Sequence, residues 1–90
     1  MSDPQWHVRV TAPARRQIDR LPIAVAAAVI ETLDAIASNP RRLGKPLRFE
    51  LTGRWSARRG PYKIIYSIDD ATHTVSVLAV AHRADVYRPR

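Results

Sequence analysis

A cationic turn that runs directly into an alternating strand constrains this chain more than any other feature. In Arg58-Arg59-Gly60-Pro61-Tyr62-Lys63-Ile64-Ile65-Tyr66, the Gly-Pro pair marks a turn, and the residues after it follow the period of two of an extended strand. Tyr62, Ile64 and Tyr66 fall on one face, and Lys63, Ile65 and Ser67 on the other. A rigid element thus holds Lys63 close in sequence to Arg54, Arg58 and Arg59. Cations placed in this way suit a polyanionic partner.

The remaining segments build a sheet and a helical layer around that stretch. From Gln5 to Ala12, Trp6, Val8 and Val10 alternate with His7, Arg9 and Thr11, which reads as a first strand with one buried face. Thr11 or Ala12 is placed to cap a short helix whose first turn holds Pro13, where the missing N–H costs nothing. This helix carries Arg15, Arg16, Asp19 and Arg20, buries Ile18 and Leu21, and ends near Pro22.

A second helix is expected over about 22–38, with Ile23, Ala26, Ala27, Ile30, Leu33 and Ala37 as its packing stripe and Val29 and Ile36 widening it. Asn39-Pro40 stops it, because the residue before proline is pushed out of the α region. A basic loop from Arg41 to Lys45 follows, then a strand through Leu47, Phe49 and Leu51, and a further strand centred on Trp55. Tyr62 to Ile68 is the fourth strand. A polar Asp69–Thr72 loop joins it to a fifth, Thr74 to Ala81, apolar on both faces and so expected inside the sheet. The order β-α-α-β-β-β-β gives an α+β domain spanning 1–90, with a mostly antiparallel sheet and two N-terminal helices packed on one face.

Bulk properties narrow the function. Fifteen Lys and Arg against eight Asp and Glu leave a net charge of +7, which suits nucleic acid or an acidic protein, although a merely basic surface would show the same balance. The absence of cysteine excludes disulfides and thiolate metal sites. No stretch is long or apolar enough to cross a bilayer and no signal peptide is evident, so a cytoplasmic protein without membrane contact is expected. His7, His73 and His82 lack the spacing of metal ligands, and no cofactor is expected.

RNA cleavage without a metal needs three things. A group must take the 2′-hydroxyl proton, fixed cations must stabilise the pentacovalent phosphate, and a group must protonate the leaving 5′-oxygen. Arg54, Arg58, Lys63 and Arg83 supply charge, and His82 or Tyr87 can transfer protons. Each has a plainer reading: solvated turn charges for the arginines, a backbone hydrogen bond at the strand end for His82, packing for Tyr87.

Three segments carry a family resemblance: Tyr62-Lys63-Ile64-Ile65-Tyr66-Ser67-Ile68-Asp69, Val75-Ser76-Val77-Leu78-Ala79-Val80, and Ala81-His82-Arg83-Ala84-Asp85-Val86-Tyr87. Together they resemble the RelE/ParE superfamily of small toxins from bacterial type II toxin–antitoxin systems, RelE-like branch, over nearly the whole chain. The last segment is similar to a G-H-R-x-x-V-Y ending, with Ala81 in place of glycine. The resemblance implies a microbial ribonuclease-type fold and metal-independent cleavage of mRNA on the ribosome, with translation inhibited and growth arrested. It also implies neutralisation by a RelB-like antitoxin, expected to be acidic and partly disordered.

By the same resemblance, Lys63 and Arg83 stabilise the phosphate, Tyr87 orients or deprotonates the 2′-hydroxyl, and His82 is an alternative base. Arg54, Arg58 and Arg59 hold RNA. The product would be a 2′,3′-cyclic phosphate. Where the best-known RelE toxin has two lysines one residue apart before the basic turn, this chain has Arg54 and Ser56. Arginine does not readily give up a proton, which leaves the general acid unassigned. Two rivals remain: a ParE-like inhibitor of DNA gyrase that acts by binding, and a non-enzymatic RNA-binding domain.

Overall fold

In the computed structural model, described over residues 5–48 and 53–82, the chain runs β1 (His7–Val10), α1 (Ala12–Asp19), α2 (Ile23–Ser38), α3 (Pro40–Leu43), β2 (Lys45–Pro46), β3 (Arg54–Arg59), β4 (Tyr62–Asp69) and β5 (Thr74–His82). The five strands lie in the order β1-β5-β4-β3-β2. β1 pairs with β5 in parallel, and every other pair is antiparallel. The mixed α+β architecture and the mostly antiparallel sheet are those expected from the sequence, and β5 has a neighbour on each side.

Among the described residues, helices cover one face of the sheet and leave the other open. Ala57, Ile64, Tyr66, Val75, Val77 and Val80 meet Ala14 of α1 and Val29, Leu33 and Ile36 of α2 in a single buried cluster. On α2 the buried positions are Val29, Thr32, Leu33, Ile36 and Ala37. Ile23 and Ile30, expected in the packing stripe, are 89% and 51% exposed. Thr32 takes an inner position because its hydroxyl donates to the Ala28 carbonyl at 2.9 Å, one turn back, so it carries no unsatisfied group inward. Apolar residues encircle this alanine-rich helix, and apolar spacing alone therefore does not fix which side turns inward.

The stretch expected to be a basic loop holds the short helix α3. Asn39 ends α2 in an extended conformation, and its side-chain oxygen accepts the Arg41 N–H at 3.3 Å, with Pro40 at the start of the new helix. The same dipeptide closes one helix and opens the next. β2 begins at Lys45, before the strand expected through Leu47, Phe49 and Leu51. Its pairing with β3 continues through the Leu47 N–H, which donates to the Arg54 carbonyl at 2.8 Å. Phe49 and Leu51 lie outside the described residues. Pro46 is tolerated because β2 is an edge strand.

β5 is not a regular strand. Ile65 pairs with Ala79 and Tyr66 with Val77, so Leu78 has no partner and the alternation slips by one residue. Val75 and Val77 point to the core before the slip, and Val80 after it. At the same point β1 ends, opposite Val77, and α1 takes over along the freed edge of β5. The Thr11 hydroxyl and N–H both donate to the Val77 carbonyl, at 2.7 and 3.1 Å, and the Gln17 side-chain oxygen accepts the Val80 N–H at 2.7 Å. Each such bond contributes about 1 kcal/mol net, and more would be lost by leaving its partner unpaired.

Candidate nucleic-acid interface

Directly opposed residues on neighbouring strands project to the same side of a sheet, so the pairing register assigns every sheet residue to the core or the open face. Arg58, Lys63 and Ala81 form one row on the open face, and Lys45, Ser56, Ile65 and Ala79 the next. Beyond these, Arg54, Ser67, Ser76 and Arg9 form a third. Five cations of four strands thus share one surface. Arg9, Lys45, Arg54 and Arg58 are exposed, and Lys63 is half-buried at the centre.

Leu43, Lys45, Leu47, Ser56, Arg58 and Lys63 line a groove of about 320 Å³ on this face. Its wall is built from behind. Tyr66 is fully buried on the core side, and its hydroxyl donates to the Pro40 carbonyl at 2.6 Å, which anchors α3 to the sheet. Gly44 sits directly on that hydroxyl, and a Cβ there would collide with the Tyr66 oxygen and ring. Burial pushes the Tyr66 hydroxyl up to about 12, against a smaller downward pull from a backbone hydrogen bond with Gly44. Next to Pro40, Arg41 makes a two-pronged contact with Asp70, at 3.0 and 2.7 Å. That hydrogen-bonded guanidinium holds the Asp70 carboxyl below its ordinary range.

The charge on this face meets little opposition among the described residues. Asp19 lies on α1, Glu31 and Asp34 lie on α2, and Asp70 is engaged by Arg41. Asp69 is at the far end of the open face, where one of its oxygens already accepts the N–H groups of Ala71 and Thr72 at 3.0 and 3.3 Å. Fixed cations beside the apolar side chains of Leu43 and Leu47 can hold a phosphate while a base rests against the wall.

The residues singled out from the sequence divide between the two faces. Arg54, Arg58 and Lys63 come together on the open one. Arg59 pairs with Tyr62, and Tyr62 with His82, on the core side. There Arg59 approaches Glu31 of α2 at 3.9 Å, and the His82 ring meets Tyr62 edge to face at 5.3 Å. The structure therefore does not bring His82 or Arg59 to Lys63. Arg83 and Tyr87 lie outside the described residues. Lys45 and Arg9, both absent from the residues chosen on sequence, join the open face. For Arg9 the signal was present, since it occupies the polar phase of β1.

The family model described as the ParE toxin of type II toxin–antitoxin systems, parDE, matches residues 8–87. Two proteins of Mycobacterium tuberculosis are similar along almost their full length. Toxin RelG is 51% identical over 84 residues, 92% of this chain and 97% of its own. Toxin RelE is 47% identical over 87 residues, 96% of this chain and 90% of its own. Among solved structures, a chain of the toxin–antitoxin complex RelBE2 from Mycobacterium tuberculosis matches with a TM-score of 0.84 at 49% identity, covering 90% of this chain and 94% of that one. The intact RelBE toxin–antitoxin complex of E. coli matches with a TM-score of 0.76, covering 86% of this chain and 95% of that one; at 18% identity it speaks for the fold alone.

Proposed function

The chain belongs to the ParE toxin family of type II toxin–antitoxin systems, and from that premise we propose that it is a RelE-like endoribonuclease that cuts mRNA on the ribosome and so stops translation. The observation that carries this reading is the gathering of Lys45, Arg58 and Lys63 around one groove on the open face. The cations of this groove and its apolar wall suit a nucleotide, with the phosphate against the one and the base against the other.

The chemistry proposed is an in-line displacement at phosphorus. The 2′-oxygen attacks, Tyr87 orients it or takes its proton, and the bond to the 5′-oxygen breaks as that oxygen takes a proton from water, leaving a 2′,3′-cyclic phosphate and a 5′-hydroxyl. Lys63 and Arg83 stabilise the charge that builds on the phosphoryl oxygens, a role best filled by cations already fixed in place. Lys63 meets that requirement because a paired central strand holds its backbone. Arg58, directly opposite Lys63, and Arg54, two rows further along the sheet, hold the RNA. In the cytoplasm a cognate antitoxin of RelB type neutralises the toxin, a partner supported by the likeness to the RelBE2 complex.

A translation reaction on defined mRNA, read by primer extension, tests the proposal. Cleavage confined to translating message, and lost in Arg83→Ala and Lys63→Ala, supports it. Uncut message with unimpaired protein synthesis overturns it. The ParE name of the matched family model favours gyrase inhibition as the second reading, and a DNA supercoiling assay decides that case.

A further inference from the structure

The third row on the open face has a composition of its own. Arg9 is opposite Ser76, Ser76 opposite Ser67, and Ser67 opposite Arg54, so two serines lie between two arginines across four strands. Both arginines are exposed and both serines half-buried. Strands are ~4.8 Å apart, which puts the two arginine Cα atoms ~14 Å from each other. Side chains of that length can converge over the hydroxyls between them. Guanidinium groups present paired donors that match a phosphate, and serine hydroxyls add further donors. None of the four residues carries negative charge. The nearest carboxylate in the register, Asp69, is two residues along β4 and bonded to its own loop.

We propose that Arg9, Ser76, Ser67 and Arg54 form a second phosphate-binding row, which holds an RNA strand at a phosphate other than the one over Lys63 and Arg58. This rests on the RNA reading given above. Arg54 and Arg58 mark the two rows on β3 and are four positions apart, or ~13 Å along the strand. One RNA strand lying along β3 and β4 would cross both. The second row does no chemistry. It sets the path and direction of the strand, so that the groove receives one particular linkage.

The probe is a short single-stranded oligoribonucleotide, with binding followed by fluorescence anisotropy over a salt series. Arg9 is an exposed residue of the edge strand β1, so Arg9→Gln is expected to keep the parent's thermal midpoint. It should weaken binding several-fold and reduce the slope of log affinity against log salt by about 0.7, the value for one released counterion on a single strand. Arg9→Lys should restore the slope. Ser67→Ala combined with Ser76→Ala should weaken binding without changing it. Arg16→Gln, on the helical side, is the control and should match the parent. If Arg9→Gln keeps the parent slope while Arg58→Gln and Lys63→Gln lose theirs, the second row is overturned and the RNA reading stands. If all three keep it, both are overturned.

Discussion

Lys63 and His82 occupy adjacent strands yet project from opposite faces of the sheet: Lys63 is opposed to Ala81 on the open side, and His82 to Tyr62 on the core side. A single RNA phosphate cannot touch both. Lys63→Ala should therefore lower cleavage by about 10²-fold or more, the usual loss when a fixed donor to a developing oxyanion is removed. His82→Gln should stay within a few-fold of the parent. Single-turnover cleavage of translating mRNA measures both. An equal collapse in a folded His82→Gln variant would give the histidine a part in the reaction.

Removing the Tyr66 hydroxyl probes the wall of the groove. Tyr66→Phe keeps the ring but leaves the Pro40 carbonyl without its donor, at a cost of about 1–3 kcal/mol in urea unfolding. Gly44→Ala forces a methyl group onto the same oxygen and should cost a similar amount by overpacking. Combined, the two changes should cost less than their sum, because the first removes part of what the second collides with.

The same hydroxyl makes stability fall at alkaline pH. In the unfolded chain Tyr66 ionises near its ordinary value of 10.0, and in the folded one near about 12. Between these values the folded state retains a proton that the unfolded state has lost, so stability decreases as pH rises through that window. A shift of this size corresponds to up to about 3 kcal/mol. Tyr66→Phe should flatten that decline in urea midpoints measured across the alkaline range.

On α2, the exposures predict which substitutions matter. Ile23→Lys and Ile30→Lys should change stability by no more than about 0.5 kcal/mol, since both side chains face outward. Ile36→Ala, at a fully buried position, should cost about 2–5 kcal/mol. Thermal or urea unfolding separates these cases readily.

Gln17→Ala tests the join between α1 and β5. With the side-chain oxygen gone, the Val80 N–H loses its acceptor, which should cost about 1–3 kcal/mol. Amide hydrogen exchange should quicken at Val80 well before it does at Val75, which lies where β1 still runs alongside.

Much of this architecture is written in local patterns. Alternation at Tyr62–Tyr66, the Gly60-Pro61 turn and the Asn39-Pro40 break each act through the nearest few residues, and each is where its pattern puts it. The exceptions depend on distant partners. Which side of α2 turns inward is decided by the sheet it meets and by the Ala28 carbonyl that lets Thr32 go inside. Helix α3 needs the Tyr66 hydroxyl from a strand 26 positions away. Regular alternation from Val75 would turn His82 to the open side, beside Lys63. The unpaired Leu78 reverses that phase, and nothing in the sequence around Leu78 announces it.

Because the described helices cover one face only, the sheet separates the core from the cations. Val75, Ile64 and Tyr66 hold the domain together on one side, while Arg9, Lys45, Arg54 and Arg58 meet solvent on the other. Exchanging any of these four cations removes no core contact, so such changes reach selection without first threatening the survival of the protein. A toxin built on this plan can change the charges of its open face while its interior stays as it was.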